Sequence, residues 1–416
     1  MFLSAGSIDI TPSQPVSLFG FAERHGSYSK VHDKLEINLS VLKQNGALVL
    51  LYSIDTLFVP EEFVSIVLNQ FGNDFGLQEK DIWMAATHTH FAPSLDKDKP
   101  GLGKLDEGYF NVVKEKLLQL TATVLSSQFK MVTVQYGNSK SELNVNRRKK
   151  LIRPKSGFWL YNKVLMYPDY DGVKDDNIHV VSFVGEGGNT EMVLWNYACH
   201  PVGFTHRSQV TAEFIGAIRE QFRGHYKKEQ LPVVFMLGFA GNLKPDVTPV
   251  THTKLKDKIR YFFQLGPKYT RFPDTARYLQ WTELLWKEVQ QAIEKSGKTN
   301  AGAIESTQSE LPLSDVIGED NHQNIHFKKL RFSDSFQLTG ISAEVLAEYK
   351  DIVADVVKTV NSINVGCLAG TRIYLPTDKH LDEGGYEVHH FKHRFGIKGD
   401  FKNGLSNKIK NALSEL

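Results

Sequence analysis

Short apolar runs interrupted by amphipathic segments restrict this chain to a layered architecture. The apolar runs are typical of buried strands. They lie at 47–53, 82–86, 132–136, 179–184, 192–197, 233–237 and 336–341. Between them, apolar residues recur every three or four positions, which predicts helices. These helices are predicted at 61–71, 109–127, 212–222, 275–295 and 343–361. Interleaved strands and helices indicate an α/β, mixed α+β fold in which layered sheets are flanked by helices.

The chain is predicted to form a single domain over residues 1–416, with insertions near 147–176 and 251–281. Both insertions are rich in basic and aromatic residues and have few periodic cues, so the first is predicted to be a long structured loop. One interpretation of each is a solvated face with aromatic anchors. Another is a lid or entrance that meets an amphipathic or anionic substrate, and a nucleic-acid surface is the third.

The charge balance gives no general reason to expect a nucleic-acid partner. Lys and Arg number 49 against 47 Asp and Glu, a net charge of +2, so an anionic surface would be attracted only locally. The two cysteines, Cys199 and Cys367, exclude a disulfide framework and a cysteine-rich zinc site.

The sequence predicts no segment that targets or spans a membrane. No apolar run approaches the roughly 20 residues that a transmembrane helix needs. The N-terminal residues 1–6 lack the basic and apolar regions of a secretory signal. A cytoplasmic location is therefore expected, and peripheral contact with a membrane is left open.

Histidines follow two of the predicted strands. His88 and His90 come after the run 82–86, and on an extended backbone residues two apart project to the same face. His200 follows the run 192–197. Neutral imidazole is a common metal ligand, so a metal site is one interpretation, and polar histidines satisfied at a strand end are the other. A third strand runs into the glycine-containing segment 238–246, which by itself is typical of a structural turn.

Several short motifs follow one another along the chain: residues 5–12, 87–90, 146–147, 198–201, 240–245 and 340–344, followed by Tyr374 and Tyr386. In this order, they resemble the N-terminal catalytic domain of the neutral/alkaline ceramidase family. They extend over nearly the whole chain. Members of that family hydrolyse the amide bond of an N-acylated sphingoid base with one zinc ion.

The resemblance implies a set of zinc ligands and a set of catalytic groups around them. The implied ligands are His88, His200, Glu344 and Tyr374. The implied catalytic groups are His90, Arg147 and Tyr386. Imidazole, carboxylate and phenolate donors suit Zn²⁺. Glu344 is also predicted to begin the helix over 343–361, where the helix dipole alone would favour a carboxylate.

This sequence departs from the family at Lys244, where ceramidases carry a catalytic serine. A lysine cannot replace a hydroxyl group in kind, but its cation could bind a carboxylate or phosphate of the substrate or assist an oxyanion. The chain also ends soon after the last motif, so the immunoglobulin-like C-terminal domain of the secreted ceramidases is expected to be absent.

The sequence thus predicts a zinc-dependent amidohydrolase that cleaves a small-molecule N-acyl compound, a ceramide-like lipid or a related N-acyl amine, by a metal-activated water. One alternative is an N-deacetylase of a polar N-acyl substrate such as an amino sugar. Another is a non-catalytic descendant that binds a lipid or glycan, an alternative that Lys244 motivates.

Overall fold

The computed structural model contains several sheets flanked by helices. It describes residues 1–21, 24, 26–155, 159–247, 255, 274–318, 322–333, 335–358 and 361–416. The strands are β1 (Phe2–Asp9), β2 (Lys30–Val31), β3 (Glu36–Gln44), β4 (Ala47–Ile54), β5 (Ile82–Ala86), β6 (Lys130–Lys140), β7 (Asn144–Lys155), β8 (Trp159–Asp169), β9 (Asn177–Gly185), β10 (Thr190–Tyr197), β11 (Gln209–Val210), β12 (Val233–Leu237), β13 (Leu243–Pro245), β14 (Gly297–Lys298), β15 (Ala301–Pro312), β16 (Asn324–Ser333), β17 (Gln337–Ile341), β18 (Glu344–Val345), β19 (Ser362–Val365) and β20 (Tyr374–Leu375).

The helices lie mostly between these strands. They are α1 (Glu62–Phe75), α2 (Glu107–Ser126), α3 (Phe214–His225), α4 (Thr275–Glu294), α5 (Leu313–Val316), α6 (Tyr349–Val357), α7 (Asp378–Glu383), α8 (Phe391–Phe395) and α9 (Leu405–Ser414), with 3₁₀ turns at Glu79–Asp81 and Pro100–Leu102 and a π-helical turn at Tyr386–His390. No helix in the described ranges is long and apolar enough to cross a membrane.

The large sheet has the order β12-β10-β9-β6-β1-β3-β4-β5, with β14 paired to β6. The pairs β4–β5 and β10–β12 are parallel. The short segment 366–367 links the two ends of this order, because Gly366 N donates to Leu237 O at the end of β12 and Ala86 N donates to Cys367 O at the end of β5. The loops that follow β5, β10 and β12 therefore emerge close together.

A second sheet, with the order β15-β16-β17-β19, packs against one face of the large sheet. Successive residues of β4 and β12 point to opposite faces of the large sheet. Leu51 and Met236 face the second sheet. Tyr52 and Phe235 pack on the other face, in the core that contains α1 to α4. Because both faces are buried, these strands are apolar at nearly every position, which is why they stand out in the sequence.

The second sheet is itself covered on its outer face. Leu330 and Phe332 of β16 point towards the large sheet, while Ile325 and Phe327 pack with α6 and α9. The molecule is therefore layered as helices, sheet, sheet and helices, which confirms the predicted fold class.

Leu338→Ala is expected to lower the free energy of unfolding by about 2–5 kcal/mol, the usual cost of a cavity at a buried leucine. Leu338 lies fully buried between the two sheets. The control Leu279→Ala removes the same atoms from a side chain that is 53% exposed on α4, so it should cost less than about 0.5 kcal/mol. Urea denaturation measures both, and equal losses would contradict a packed core between the sheets.

The strands β5 and β12 have the bounds predicted from the sequence, but two other predictions are wrong. Residues 147–176 are not a long loop, since β7 and β8 pair as an antiparallel hairpin with Arg148 opposite Met166. The predicted helix over 343–361 begins only at Tyr349. Glu344 lies instead in β18 and not at a helix start. Of the second basic segment, 251–273 lies outside the described residues except for Leu255.

Candidate metal centre

Two histidines from neighbouring loops meet at the carboxyl ends of β5 and β10. His88 follows β5 and His200 follows β10, and their Nε2 atoms are 3.0 Å apart. His88 has a φ of 66°, in the left-handed region that non-glycine residues rarely adopt. Such backbone strain is concentrated at functional sites, and here it turns the imidazole towards His200.

Each of these imidazoles has its other nitrogen fixed by a backbone carbonyl. His88 Nδ1 donates to Leu57 O at 2.8 Å, and His200 Nδ1 donates to Ala240 O at 2.8 Å. A carbonyl oxygen can only accept, so both Nδ1 atoms carry the proton and both Nε2 atoms present a lone pair in the neutral rings. Carbonyl contacts of this kind orient metal-binding histidines in proteins.

The carboxylate of Glu344 is a third acceptor beside the two imidazoles. Glu344 Oε2 lies 3.2 Å from His88 Nε2 and 3.5 Å from His200 Nε2, and it has no hydrogen-bond partner among the described residues. All three side chains are at most 2% exposed. Three buried acceptors that face one point repel one another unless a cation lies between them.

The pKa shifts of the two histidines also indicate that the site favours one positive charge. Although burial lowers the pKa of His88, the neighbouring Cys367 and Glu344 raise it to about 10. Burial lowers the pKa of His200 well below its ordinary value. The carboxylate of Glu344 thus favours a positive charge beside His88, while His200 stays neutral. A metal ion would supply that charge, so the residues present fit a bound divalent ion.

Tyr374 reaches the site through a short pair of parallel strands. β18 and β20 pair so that Glu344 lies opposite Tyr374. Burial, followed by the charge of Glu344, raises the pKa of Tyr374, whereas Arg147 lowers it. A glycine permits the close packing here, because a Cβ atom on Gly241 would lie 2.8 Å from the carbonyl oxygens of Glu344 and Val345.

Arg147 is buried against the candidate ligands. Its Nη2 donates to Tyr374 Oη at 3.2 Å and to Gly241 O at 2.7 Å. Its Nε donates to Glu387 Oε1 at 3.0 Å, and the other carboxylate oxygen of Glu387 accepts from Arg148 Nη1 at 2.6 Å. Burial lowers the pKa of Arg147, but Tyr374 and Glu387 raise it above its usual value, so the group stays a cation.

His90 and Tyr386 lie around this centre. The ring of His90 is 5.2 Å from that of His88 and 5.4 Å from that of His200. The ligand atoms of these three histidines lie within 4.8 Å of one another. The Nδ1 atom of His90 donates to Gly20 O at 3.1 Å, and its Nε2 has no partner in the described part of the chain. The ring of Tyr386 lies 5.8 Å from the Arg147 guanidinium.

The structure thus brings together seven of the eight site residues that the sequence singles out. The eighth, Lys244, is buried in β13, where its Nζ donates to Pro245 O at 3.4 Å. Burial raises the pKa of Asp246 and of Cys199, and the charge of Lys244 opposes both shifts.

The sequence pattern does not identify several groups that shape the site. The carbonyls of Leu57 and Ala240 orient the histidines, and Glu387 holds Arg147. Cys367 lies with its Sγ 3.7 Å from His88 Nδ1. Backbone acceptors carry no signature in the sequence, and a glutamate in a polar stretch is typical of a solvated surface, so only the fold reveals these residues.

Comparison with known proteins identifies the fold. No model of a known protein family and no curated protein sequence matches the chain. The structure matches that of neutral ceramidase from Pseudomonas aeruginosa with a TM-score of 0.74 and 12% sequence identity, over 99% of this chain and 74% of that one. A second match, a ceramidase complexed with C2, has a TM-score of 0.72, 12% identity and the same coverage. As the order of the sequence motifs predicted, the chain has the fold of the neutral ceramidases over almost its full length.

Proposed function

We propose that this chain is a zinc-dependent amidohydrolase that cleaves the amide bond of an N-acyl compound of the ceramide type. The observation that carries the proposal is the convergence of three buried acceptors, His88 Nε2, His200 Nε2 and Glu344 Oε2, on one point. The likeness of the fold to solved ceramidase structures supports the choice of reaction and substrate class.

The donor set suits zinc by its chemistry. Two imidazoles, one carboxylate and the phenol of Tyr374 offer nitrogen and oxygen ligands without sulfur. A zinc ion held by such ligands lowers the pKa of water to about 7 and polarises a carbonyl group. Arg147 assists from outside the set, because its cation beside Tyr374 Oη favours the phenolate form of that tyrosine.

The remaining side chains supply donors and a proton carrier. Negative charge develops on the oxygen of an amide under attack, and in this proposal Arg147 and Tyr386 donate to it. Burial raises the pKa of Tyr386 to about 12, so its hydroxyl keeps its proton at neutral pH. Burial lowers the pKa of His90 well below its ordinary value, so this imidazole is neutral at pH 7. Its unpartnered Nε2 would first accept the proton that the attacking water loses and would then pass it to the leaving amine.

The sequence offers two alternatives: an N-deacetylase of a polar N-acyl substrate, which Lys244 and the basic insertion favour, and a non-catalytic lipid- or glycan-binding protein, which Lys244 motivates. The likeness of the fold to solved ceramidase structures favours the ceramide-type hydrolase over both. The cytoplasmic location stays a prediction from the sequence.

Purified protein is expected to release fatty acid from an N-acyl sphingoid base and to lose this activity on treatment with a zinc chelator. Added Zn²⁺ should restore activity, because the site is formed by the fold itself. The measurement is product formation by mass spectrometry, with an N-acetylated amino sugar assayed in parallel. Turnover of the lipid that the chelator does not affect would contradict the metal mechanism, and turnover of the amino sugar alone would replace the substrate class.

A further inference from the structure

A second group of side chains with metal-ligand atoms lies near the start of β5, whereas the candidate metal centre follows its end. Glu310 of β15 and His326 of β16 are directly opposite one another in the antiparallel pair, and Glu79 in the turn before β5 faces both. His326 Nδ1 is 3.3 Å from Glu310 Oε1 and 3.6 Å from Glu79 Oε1. One imidazole nitrogen and two carboxylate oxygens therefore surround a common point.

The spacing of these atoms fits a coordinated ion. Ligand atoms at about 2.0–2.2 Å from a tetrahedral zinc ion are about 3.3–3.6 Å from one another. The two distances from His326 Nδ1 fall within that range, so an ion would need little movement of the imidazole or of either carboxylate. The β15–β16 pairing holds Glu310 and His326 in this arrangement, and β16 also pairs with β17 on its other side.

The surroundings of His326 match those of a metal-binding histidine. The residue is 6% exposed, and its Nε2 makes no well-aligned hydrogen bond although Glu61 Oε1 lies 3.3 Å away. In metal sites the second nitrogen of a ligating imidazole typically donates to a carboxylate, which fixes the tautomer. Glu61 is placed for that role, and it would leave the lone pair of Nδ1 facing Glu310, Glu79 and the Gln308 Nε2 atom, which lies 3.5 Å from Nδ1.

A neighbouring amide bridges the two carboxylates. Gln308 Nε2 donates at 3.0 Å to Glu79 Oε1 and at 3.0 Å to Glu310 Oε1, so it aligns the two carboxylates. Its Oε1 atom is buried without a partner among the described residues.

The local charge balance is negative. Glu61, Glu79 and Glu310 contribute three carboxylates around His326. The ammonium group of Lys328 offsets one of these charges, since its Nζ donates to Glu79 O and Ile82 O at 2.7 and 2.8 Å and interacts with the charges of Glu79 and Glu310. The three carboxylate side chains are 40–45% exposed. A divalent cation would offset the excess negative charge.

We infer that Glu79, Glu310 and His326 form a second binding site for a divalent transition-metal ion of the zinc type. The ion links the turn before β5 to the pair β15–β16, and so joins the sheet that carries His88 to the sheet that leads to Glu344. Its role is structural, and it is independent of the proposed hydrolase activity. The imidazole ligand selects Zn²⁺ over Ca²⁺, which prefers oxygen ligands.

The test is titration of metal-stripped His200→Ala protein with Zn²⁺ by isothermal calorimetry, since this variant lacks an intact catalytic centre. One site is expected to remain. Glu310→Gln in the same background should weaken that site more than 10-fold, at least the effect usual for a group that only supports a ligand. The control Glu305→Gln, at an exposed position on the same strand, should leave the affinity unchanged, and Ca²⁺ should not compete.

Unaltered Zn²⁺ affinity in Glu310→Gln, or no binding at all, would overturn the inference and leave a protonated His326 paired with its carboxylates. Metal content of the chain with an intact catalytic centre gives a second measurement that does not need the His200→Ala variant. The wild-type protein is expected to hold one zinc ion more per chain than Glu310→Gln, and equal contents would reject the site.

Discussion

His200→Ala is expected to remove zinc from the candidate metal centre and to abolish amide hydrolysis. The substitution deletes one of the three acceptors that converge on the proposed ion and leaves His88 and Glu344 without a rigid third partner. Loss of a group that only supports a metal ligand typically costs about 10–100-fold in metal affinity or activity, so the loss of a ligand should exceed that. Zinc content by mass spectrometry and the hydrolysis rate measure the two effects.

The matched control for this prediction is His393→Ala, which removes an exposed imidazole from α8 and should leave zinc content and rate unchanged. Thermal unfolding separates loss of the ion from loss of the fold. A folded His200→Ala protein that hydrolyses the substrate at the wild-type rate would contradict the assignment of His200 as a ligand.

Arg147→Lys is expected to lower kcat by about 100-fold or more while most of the zinc is retained. The guanidinium group contacts Tyr374, Gly241 and Glu387 at once, and a lysine ammonium cannot reproduce this fork of donors. Removing a single donor to a developing oxyanion usually costs about 100- to 1,000-fold in kcat. Steady-state kinetics should show the loss mainly in kcat, because the proposed contact forms in the transition state.

The control is Arg277→Lys, at an exposed position on α4, for which no kinetic change is expected. If Arg147→Lys raised KM and left kcat intact, Arg147 would serve to bind substrate and not to stabilise the oxyanion. A loss of zinc equal to that in His200→Ala would instead make Arg147 essential for the phenolate of Tyr374.

The strands of the large sheet are predictable from the sequence because their signal is local. β5 and β12 are buried on both faces, so every position is apolar and the run ends where the strand ends. The polar residues that follow, His88 among them, stand out for the same reason. A sheet whose strands end at one edge then brings such residues together.

The surroundings of Glu344 could not be predicted from local pattern. The apolar spacing of 343–361 matches a helix, but residue 344 pairs with Tyr374, which lies 30 positions further along the chain. That parallel pair uses two residues on each side, too few to produce a periodic signal. Similarly, the strand β7 could not be predicted from its basic residues, because it is stabilised by pairing with β8 and not by a local apolar pattern.

The most direct test of the account is an anomalous difference map, recorded at the zinc absorption edge from crystals of the zinc-loaded protein. The account predicts a peak about 2.0–2.2 Å from the Nε2 atoms of His88 and His200 and from a carboxylate oxygen of Glu344. The account would be contradicted by a zinc-loaded crystal that shows no peak at this point and in which the Nε2 atoms of His88 and His200 are still 3.0 Å apart.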